Sequence, residues 1–508
     1  MEEILIGIDF GACNLKCVHV KKNKISAVRL NTNDDGSFHT PNAIFYNMTK
    51  SGVIDKIIGQ AAMGMGTVNP ENLIIGLKRK LEQKDWHQFI PSLEREVNAA
   101  EVVEDIFKKI YAMATKNLDK DCVARAIVTV PVIFTKSQRK LIKDAATKAG
   151  FSVSATVNES FASIFAAKEL DDSLNIIFDL GGSTLDISII KISGNEVSEL
   201  VSTGLRLGGL DIDRDILEKL LKPKYGEIID AAWKVENKED WQLNFVRRLK
   251  EAVYLDEAED EICAENVEAK PNFDKIILKR DEIDDLLERE GYGAKIIAAL
   301  DNLFEDLLQG DDCFDKSDVT KVWALGGSLR IPYFRTLLEN YFGEELFSAQ
   351  DYDFEDVDDF ISGMEDKYLI VAGGAANFLK QKESVIATNS IPYRICYCVG
   401  KELRRGLEKN MPTSFETLLL PLNLSELEEN GWRTDFYQSF SDEATADESA
   451  YLGSVTLNPQ LYEKKDNPLL TMKMLADGRL SLQISERRKI DGESKICLVE
   501  RHFLNLED

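Results

Sequence analysis

Asp9 and Asp179 each close an apolar strand just before a glycine-bearing turn, a placement suited to holding a hydrated cation beside a polyphosphate. ILIGIDFGACNLKCVHV, from Ile4, and IIFDLGGSTLDISII, from Ile176, both read as strand, Asp, turn, second strand. Gly11 and Gly181 follow the aspartates by two positions, where a tight hairpin favours glycine. A third stretch, VTKVWALGGSLRIPYFRTLLENYFG, predicts a short buried strand ending at Leu325, a Gly326–Gly327 turn and a helix from about Pro332. Unpaired amides at such turns, and at the helix start beyond the third, suit phosphate oxygens. Two Asp-bearing hairpins and one strand–glycine–helix junction make a three-part nucleotide clamp.

The side chains at these places fit phosphoryl chemistry. Asp9, Asp179 and Asp186 can hold Mg²⁺ mostly through water, because magnesium dehydrates reluctantly. Gly11, Gly181 and Gly182 let backbone N–H groups face phosphate oxygens, with Cys13 and Thr184 adding side-chain contacts. Lys78, in NPENLIIGLKRKL, is a point cation suited to charge building on γ-phosphoryl oxygens. Glu159, flanked by apolar residues in VNESFASIF, can orient water or the metal's shell. The Gly326–Gly327 turn, with Ser328 and the planar guanidinium of Arg330 just beyond it, lets the backbone approach a ligand closely.

Composition narrows the field. A chain of 508 residues exceeds one hydrophobic core, so two or more domains are expected. Lys+Arg 62 against Asp+Glu 88 gives a net charge of −26, which disfavours nucleic acid and anionic membrane as partners. A 44% hydrophobic content excludes a largely disordered chain. MEEILIGIDFG lacks a secretory signal's features, and no segment approaches the roughly 18 apolar residues of a membrane span. A soluble, cytoplasmic protein is expected. The eight cysteines are scattered without a C-x-x-C pair and the four histidines lie far apart, which disfavours a disulfide framework, structural zinc and a hydrolase triad. Cys396 and Cys398, alternating in RICYCVG, read as a buried pair on one strand face. DYDFEDVDDF at 351–360 has Asp356 where a calcium loop needs Gly, so it reads as a solvated acidic loop.

Around the turns lie amphipathic helices, SQRKLIKDAATKAGF closing at Gly150 and EDWQLNFVRRLKEAVYLDEAEDEI among them. After a last helix, roughly 367–381, the pattern turns strand-like from Ile391. In LLTMKMLADGRLSLQIS, Asp477-Gly478 predicts a turn, with Leu480, Leu482 and Ile484 on one face. The expected division is 1–378, a linker at 379–388, and a β-sandwich over 389–508.

Over about the first 375 residues, these motifs resemble the 70-kDa heat-shock chaperone family (DnaK-like), within the actin and sugar-kinase fold group. DFGACNLKC is similar to its first phosphate loop, NPENLIIGLKRKL to the segment with the catalytic lysine, and VTVPVIFTKSQRKLIKDAATKAGF with VNESFASIFAA to its connecting segment. FDLGGSTLDIS resembles the second phosphate loop, LGGLDID the stretch after it, and LGGSLRIP the adenosine motif; the resemblance implies nucleotide contacts from Asn14, Ser183, Gly208 and Gly209, and an adenosine side of Gly326, Gly327, Ser328 and Arg330, the Arg330 guanidinium stacked on the base. The resemblance implies a two-lobed actin-like ATPase domain with duplicated ribonuclease H-like lobes, then a β-sandwich that binds extended polypeptide. It also implies ATP/ADP and Mg²⁺ as cofactors, and co-chaperones and unfolded polypeptide as partners. Lys78, Glu159, Asp9, Asp179 and Thr184 match the family's catalytic and metal positions.

The chain departs from the family in places. Ala12 replaces a hydroxyl residue and Ser160 a proline. YLDEAEDEIC aligns with the adenosine-clamping helix, placing Glu259 and Asp260 where the family has Lys and Arg, and Cys263 where it has Ser. KESVIATNS offers only Val385 and Ile386 for the leucine-rich linker, and no helical lid is expected. These features imply a divergent chaperone that binds and slowly hydrolyses ATP. Two alternatives remain: a scaffold that holds nucleotide weakly or not at all, and a small-molecule kinase of the same fold group.

Overall fold

The computed structural model describes residues 3–21, 24–30, 40–83, 85–116, 118, 122–167, 170–233, 235, 237–255, 261–264, 276–308, 314–343, 346, 369–381, 386–388, 394–399, 402–407, 420–439, 449–462, 467–474, 479–490 and 493–505. The acidic run 351–360, Glu259, Asp260, Val385 and the Asp477-Gly478 turn fall outside them. Two units are present: one of residues 1–134, 141–188 and 203–384, the other of 135–140, 189–202 and 385–508.

The first unit is built on apolar runs dense enough for strands buried on both faces. Glu3–Phe10 pairs in parallel with Val123–Val130, which pairs in parallel with Ser152–Asn158. On its other side Asn14–Lys21 folds back antiparallel, so the first predicted hairpin is present. Ile4, Ile6, Ile8 and Phe10 are sealed in a core with Phe107, Val128 and Phe134. The strand Ser173–Leu180 pairs in parallel with Lys321–Leu325, setting Asp179 opposite Leu325. Gly181–Gly182 then turns the chain into the strand Leu185–Ser193, as the repeat predicts.

The helix Ile370–Gln381 runs IVAGGAANFLKQ, and its small residues permit very close packing. A methyl at Gly7 would strike the Ala372 carbonyl, and one at Gly374 would strike the Ala162 carbonyl. The helix therefore lies directly on the strand carrying Asp9 and on the helix Glu159–Ile164. That contact fixes Glu159 relative to the first turn.

One predicted helix is shorter than expected. Lys238–Leu255 is helical, but Glu261–Cys263 is a strand paired antiparallel with Ile277–Lys279. Cys263 is thus on a hairpin, not on the adenosine-clamping helix. The sequence after Leu255 is rich in carboxylates (Asp256, Glu257, Glu259, Asp260, Glu261), which disfavour the negative carboxy-terminal end of a helix.

In the second unit, two four-stranded antiparallel sheets are described. One runs Glu402–Leu407, Arg394–Val399, Arg433–Ser439, Ala450–Thr456; the other Leu420–Pro421, Leu469–Met474, Arg479–Ile490, Glu493–Asn505. Ile395, Tyr397, Val399, Phe436 and Met472 share a core with Leu480, Leu482 and Ile484, the predicted inward face. Cys396 and Cys398 are buried and form no disulfide. In this unit Ile386–Thr388 is a strand, parallel to Glu196–Ser198. Among the described residues, no helix is long and apolar enough to cross a membrane.

Candidate functional site

The three glycine turns meet. A Cβ on Gly182, in the second hairpin turn, would lie 2.6 Å from the Cys13 sulfur in the first. Gly326, at φ 97°, sits so close to the second strand that a Cβ there would be 2.7 Å from Asp179 Oδ1. The Ser328 hydroxyl donates to the Gly181 carbonyl at 3.0 Å, as does the Gly209 amide, while the Leu210 amide donates to the Gly182 carbonyl at 2.7 Å. Gly208 packs beneath Gly182 and Ser183, with no room for a side chain. Within the first hairpin, the Asn42 side-chain amide donates to the Gly11 carbonyl at 2.7 Å.

Together they enclose a cavity of about 800 Å³. Asp9, Gly11, Cys13, Asn14, Lys78, Glu159, Asp179, Gly181, Gly182, Ser183, Thr184, Gly209, Gly326, Gly327, Ser328 and Arg330, all expected from sequence, line it. Asp186 does not. It is buried, and its Oδ1 accepts the Val132 amide at 2.7 Å. Ala12 also lines the wall, buried and without a hydroxyl.

One end of the cavity concentrates charge. Lys78 Nζ lies 2.5 Å from Glu159 Oε1, both nearly inaccessible to solvent. Lys16 Nζ donates to Asp9 Oδ2 at 2.7 Å. Burial pulls both ammonium groups down, but the surrounding carboxylates outweigh it and both end above the usual lysine range. The Glu159 carboxyl is pushed up by burial and by Asp9, Asp186 and Asp179, against the pull of Lys78. Asp179 is pushed up to about 7 by burial first, then by Asp186 and Asp9. Asp9 and Asp179 supply hard carboxylate oxygens on the cavity wall, a donor set that suits a hard cation. Among the described residues, no three His, Cys, Asp or Glu side chains converge tightly enough to grip an ion directly. The fit is therefore to a hydrated ion such as magnesium.

A further wall is lined by one face of the helix Lys238–Leu255. Arg247, Lys250, Glu251 and Tyr254 point there, spaced as a helix stripe requires. Trp241, Phe245, Leu249 and Val253 are buried. Lys250 Nζ pairs with the fully buried Asp213 at 2.7 Å and donates to the Gly209 carbonyl at 2.9 Å. Arg247 faces the Cys13 thiol; burial lowers its pKa, but Cys13 and Glu251 hold it above the usual arginine range. Arg330 is exposed at the cavity's edge.

Sequence reading missed Lys16, Arg247, Lys250 and Tyr254. Lys16 was legible in principle, because a hairpin turning at residues 11–13 sets it opposite Asp9. The helix stripe carries no local signal of its own, because polar residues occupy several faces of this segment. Ser160, a departure from the family, shares a buried hydrogen bond of 2.7 Å with Ser188.

The Hsp70 protein family model matches residues 5–354, well over half of the chain. Heat shock 70 kDa protein 6, chloroplastic, of Arabidopsis thaliana is 28% identical over 375 residues, covering 68% of this chain and 50% of that protein. The stromal 70 kDa heat shock-related protein, chloroplastic, of Pisum sativum is 28% identical over 374 residues with the same coverage. The chain thus spans about half the length of the curated relatives it matches. Both relatives are named for the chloroplast, which corrects the cytoplasmic location expected from composition; bulk charge and hydropathy distinguish soluble from membrane-spanning chains, not one aqueous compartment from another. Family membership implies an actin-like ATPase fold, in keeping with the mixed α/β architecture. The chain belongs to the Hsp70 protein family.

Proposed function

We propose that this chain is a divergent heat shock 70-type chaperone that binds ATP in the 800 Å³ cavity, hydrolyses it slowly and binds extended polypeptide. The observation that carries the reading is the convergence of the Asp9, Asp179 and Gly326 turns with Lys78 and Glu159 on one cavity. In this reading residues 1–378 are a two-lobed ATPase domain, 379–388 the linker and 389–508 a β-sandwich. The sandwich takes unfolded segments by strand addition, and co-chaperones are further partners. The relatives' names point to a plastid compartment, and a net charge of −26 argues against nucleic acid and anionic membrane.

Each residue has a role in that reading. Gly11 and Gly182 keep their amides open to phosphate oxygens, helped by Cys13, Asn14, Ser183 and Thr184, whereas the Gly181 amide, expected there too, donates to the Thr184 carbonyl at 2.9 Å and closes the turn. Gly208 and Gly209 brace the second turn. Gly326, Gly327, Ser328 and Arg330 form the adenosine wall, opposed by Arg247, Lys250 and Tyr254. Asp9 and Asp179 hold hydrated magnesium, with Asp186 behind them; when bound, the ion neutralises charge on the phosphate oxygens. Lys78 stabilises the transferring phosphoryl group, and Glu159, fixed by that lysine, orients the attacking water.

Calorimetric titration with Mg-ATP tests this. Binding is expected in the wild type and greatly weakened in Asp179→Asn, with binding retained but hydrolysis lost in Lys78→Ala. No heat at millimolar ATP overturns the reading in favour of a nucleotide-free scaffold.

A further inference from the structure

Three carboxylates, Asp9, Glu159 and Asp179, line the phosphate end of the cavity together with two lysines. Lys78 is committed to Glu159 and buried with it. Lys16 is placed differently. Hairpin register sets it directly across from Asp9, so both side chains leave the same face of the sheet at the turn. Its ammonium carries three N–H donors, and one of them goes to Asp9. No protein acceptor for the other two is found among the described residues, yet the side chain lines the cavity and retains 17% of its exposure. A buried ammonium with donors to spare is a fixed positive charge turned toward a space suited to anionic oxygens.

We propose that Lys16 is a resident cation of the phosphate chamber, holding the polyphosphate tail of a nucleotide even when magnesium is absent. The proposal rests on the nucleotide-binding reading above. Its physical basis is charge balance. A polyphosphate entering among three carboxylates needs compensating cations. Where all of them are mobile, stripping the divalent ion leaves anion facing anion. Here one cation is covalently part of the hairpin and cannot be chelated away. Asp179 forms no ion pair among the described residues and remains the place where a mobile hydrated ion is wanted. Magnesium should therefore strengthen binding without being required for it.

A purely structural Lys16, serving only to neutralise Asp9, would affect stability but not the way affinity depends on the divalent ion. The test is ADP titration of the full chain by calorimetry, in magnesium and in excess chelator, with thermal melts to confirm folding. The wild type should lose no more than about tenfold in affinity on chelation, and Lys16→Ala about a hundredfold or more, each tenfold being about 1.4 kcal/mol. Lys16→Arg, which keeps the charge and the donors, should restore the wild-type ratio. Should Lys16→Ala misfold, Lys16→Gln, which keeps a polar side chain of similar reach without the charge, carries the same expectation. Equal losses on chelation in the wild type and the charge-removing variants overturn the proposal while leaving nucleotide binding intact. Absence of ADP binding in magnesium as well overturns the nucleotide reading and the proposal with it.

Discussion

Lys78 and Glu159 meet at 2.5 Å although 81 residues separate them in the chain, and both are buried. Removing one member of such a pair strands the other charge, at a cost of about 3–5 kcal/mol. Lys78→Ala should therefore destabilise the protein by roughly that amount, measured by urea unfolding. Lys78→Ala combined with Glu159→Gln should recover most of the loss, because no uncompensated charge remains. Single-turnover ATP hydrolysis should be absent in both, which separates the pair's catalytic role from its structural one. A double variant as unstable as the single would show that the pair is not coupled.

Two adjacent glycines should respond differently to alanine. Gly326 has φ 97°, and a Cβ there meets the Leu180 carbonyl and Asp179. Gly327 has nothing within 4 Å of its Cβ position. Left-handed strain of about 1–2 kcal/mol adds to the collision at 326, whereas Gly327→Ala should stay within about 0.5 kcal/mol of wild type. Gly326→Ala should also weaken ATP binding more than tenfold by displacing Asp179. Melting temperatures and calorimetry on both variants check this, and similar behaviour of the two would refute the close approach.

The turns were readable because their rules are local: Asp, then glycine two residues on, then a strand. The alternation of Leu480, Leu482 and Ile484 was equally local. The stripe of Arg247, Lys250 and Tyr254 was not, since several helix faces present polar residues and only the packing of Trp241 and Leu249 reveals which one turns inward. The end of the same helix is not legible because its glutamates favour helix by propensity while the cluster of carboxylates opposes it by charge at a carboxy terminus. Asp186 has the same residue type and a similar setting to Asp179, but tertiary structure spends it on the Val132 amide.

Asp213 supplies a pH signature. Burial raises its carboxyl to about 6 despite Lys250, from an ordinary value of 3.8. A raised carboxyl favours the folded state while it is protonated, so its contribution is complete below about pH 4. That contribution is lost as pH rises through about 6, and the difference across the window is about 3 kcal/mol. Asp213→Asn cannot titrate there. The stability of the variant relative to wild type should therefore increase from pH 4 to pH 7, as read from urea unfolding at each pH. A constant difference would mean that Asp213 is ionised throughout and fully compensated by Lys250.

Ser160 gives the last test. Its hydroxyl and that of Ser188 lie 2.7 Å apart in a fully buried setting. Ser160→Ala should cost about 1–2 kcal/mol, and a double-mutant cycle with Ser188→Ala should show a coupling of about 0.5–1.5 kcal/mol. Backbone position makes proline equally tolerable, because Ser160 is the second residue of the helix Glu159–Ile164, where the amide has no partner within the helix. Ser160→Pro should therefore lose the hydroxyl bond and little else, matching Ser160→Ala within about 0.5 kcal/mol. ATP affinity should be unchanged in both variants, since the neighbouring Glu159 is held independently by Lys78. A much larger loss in Ser160→Pro would mean that the amide of Ser160 is engaged and that the helix starts one residue earlier.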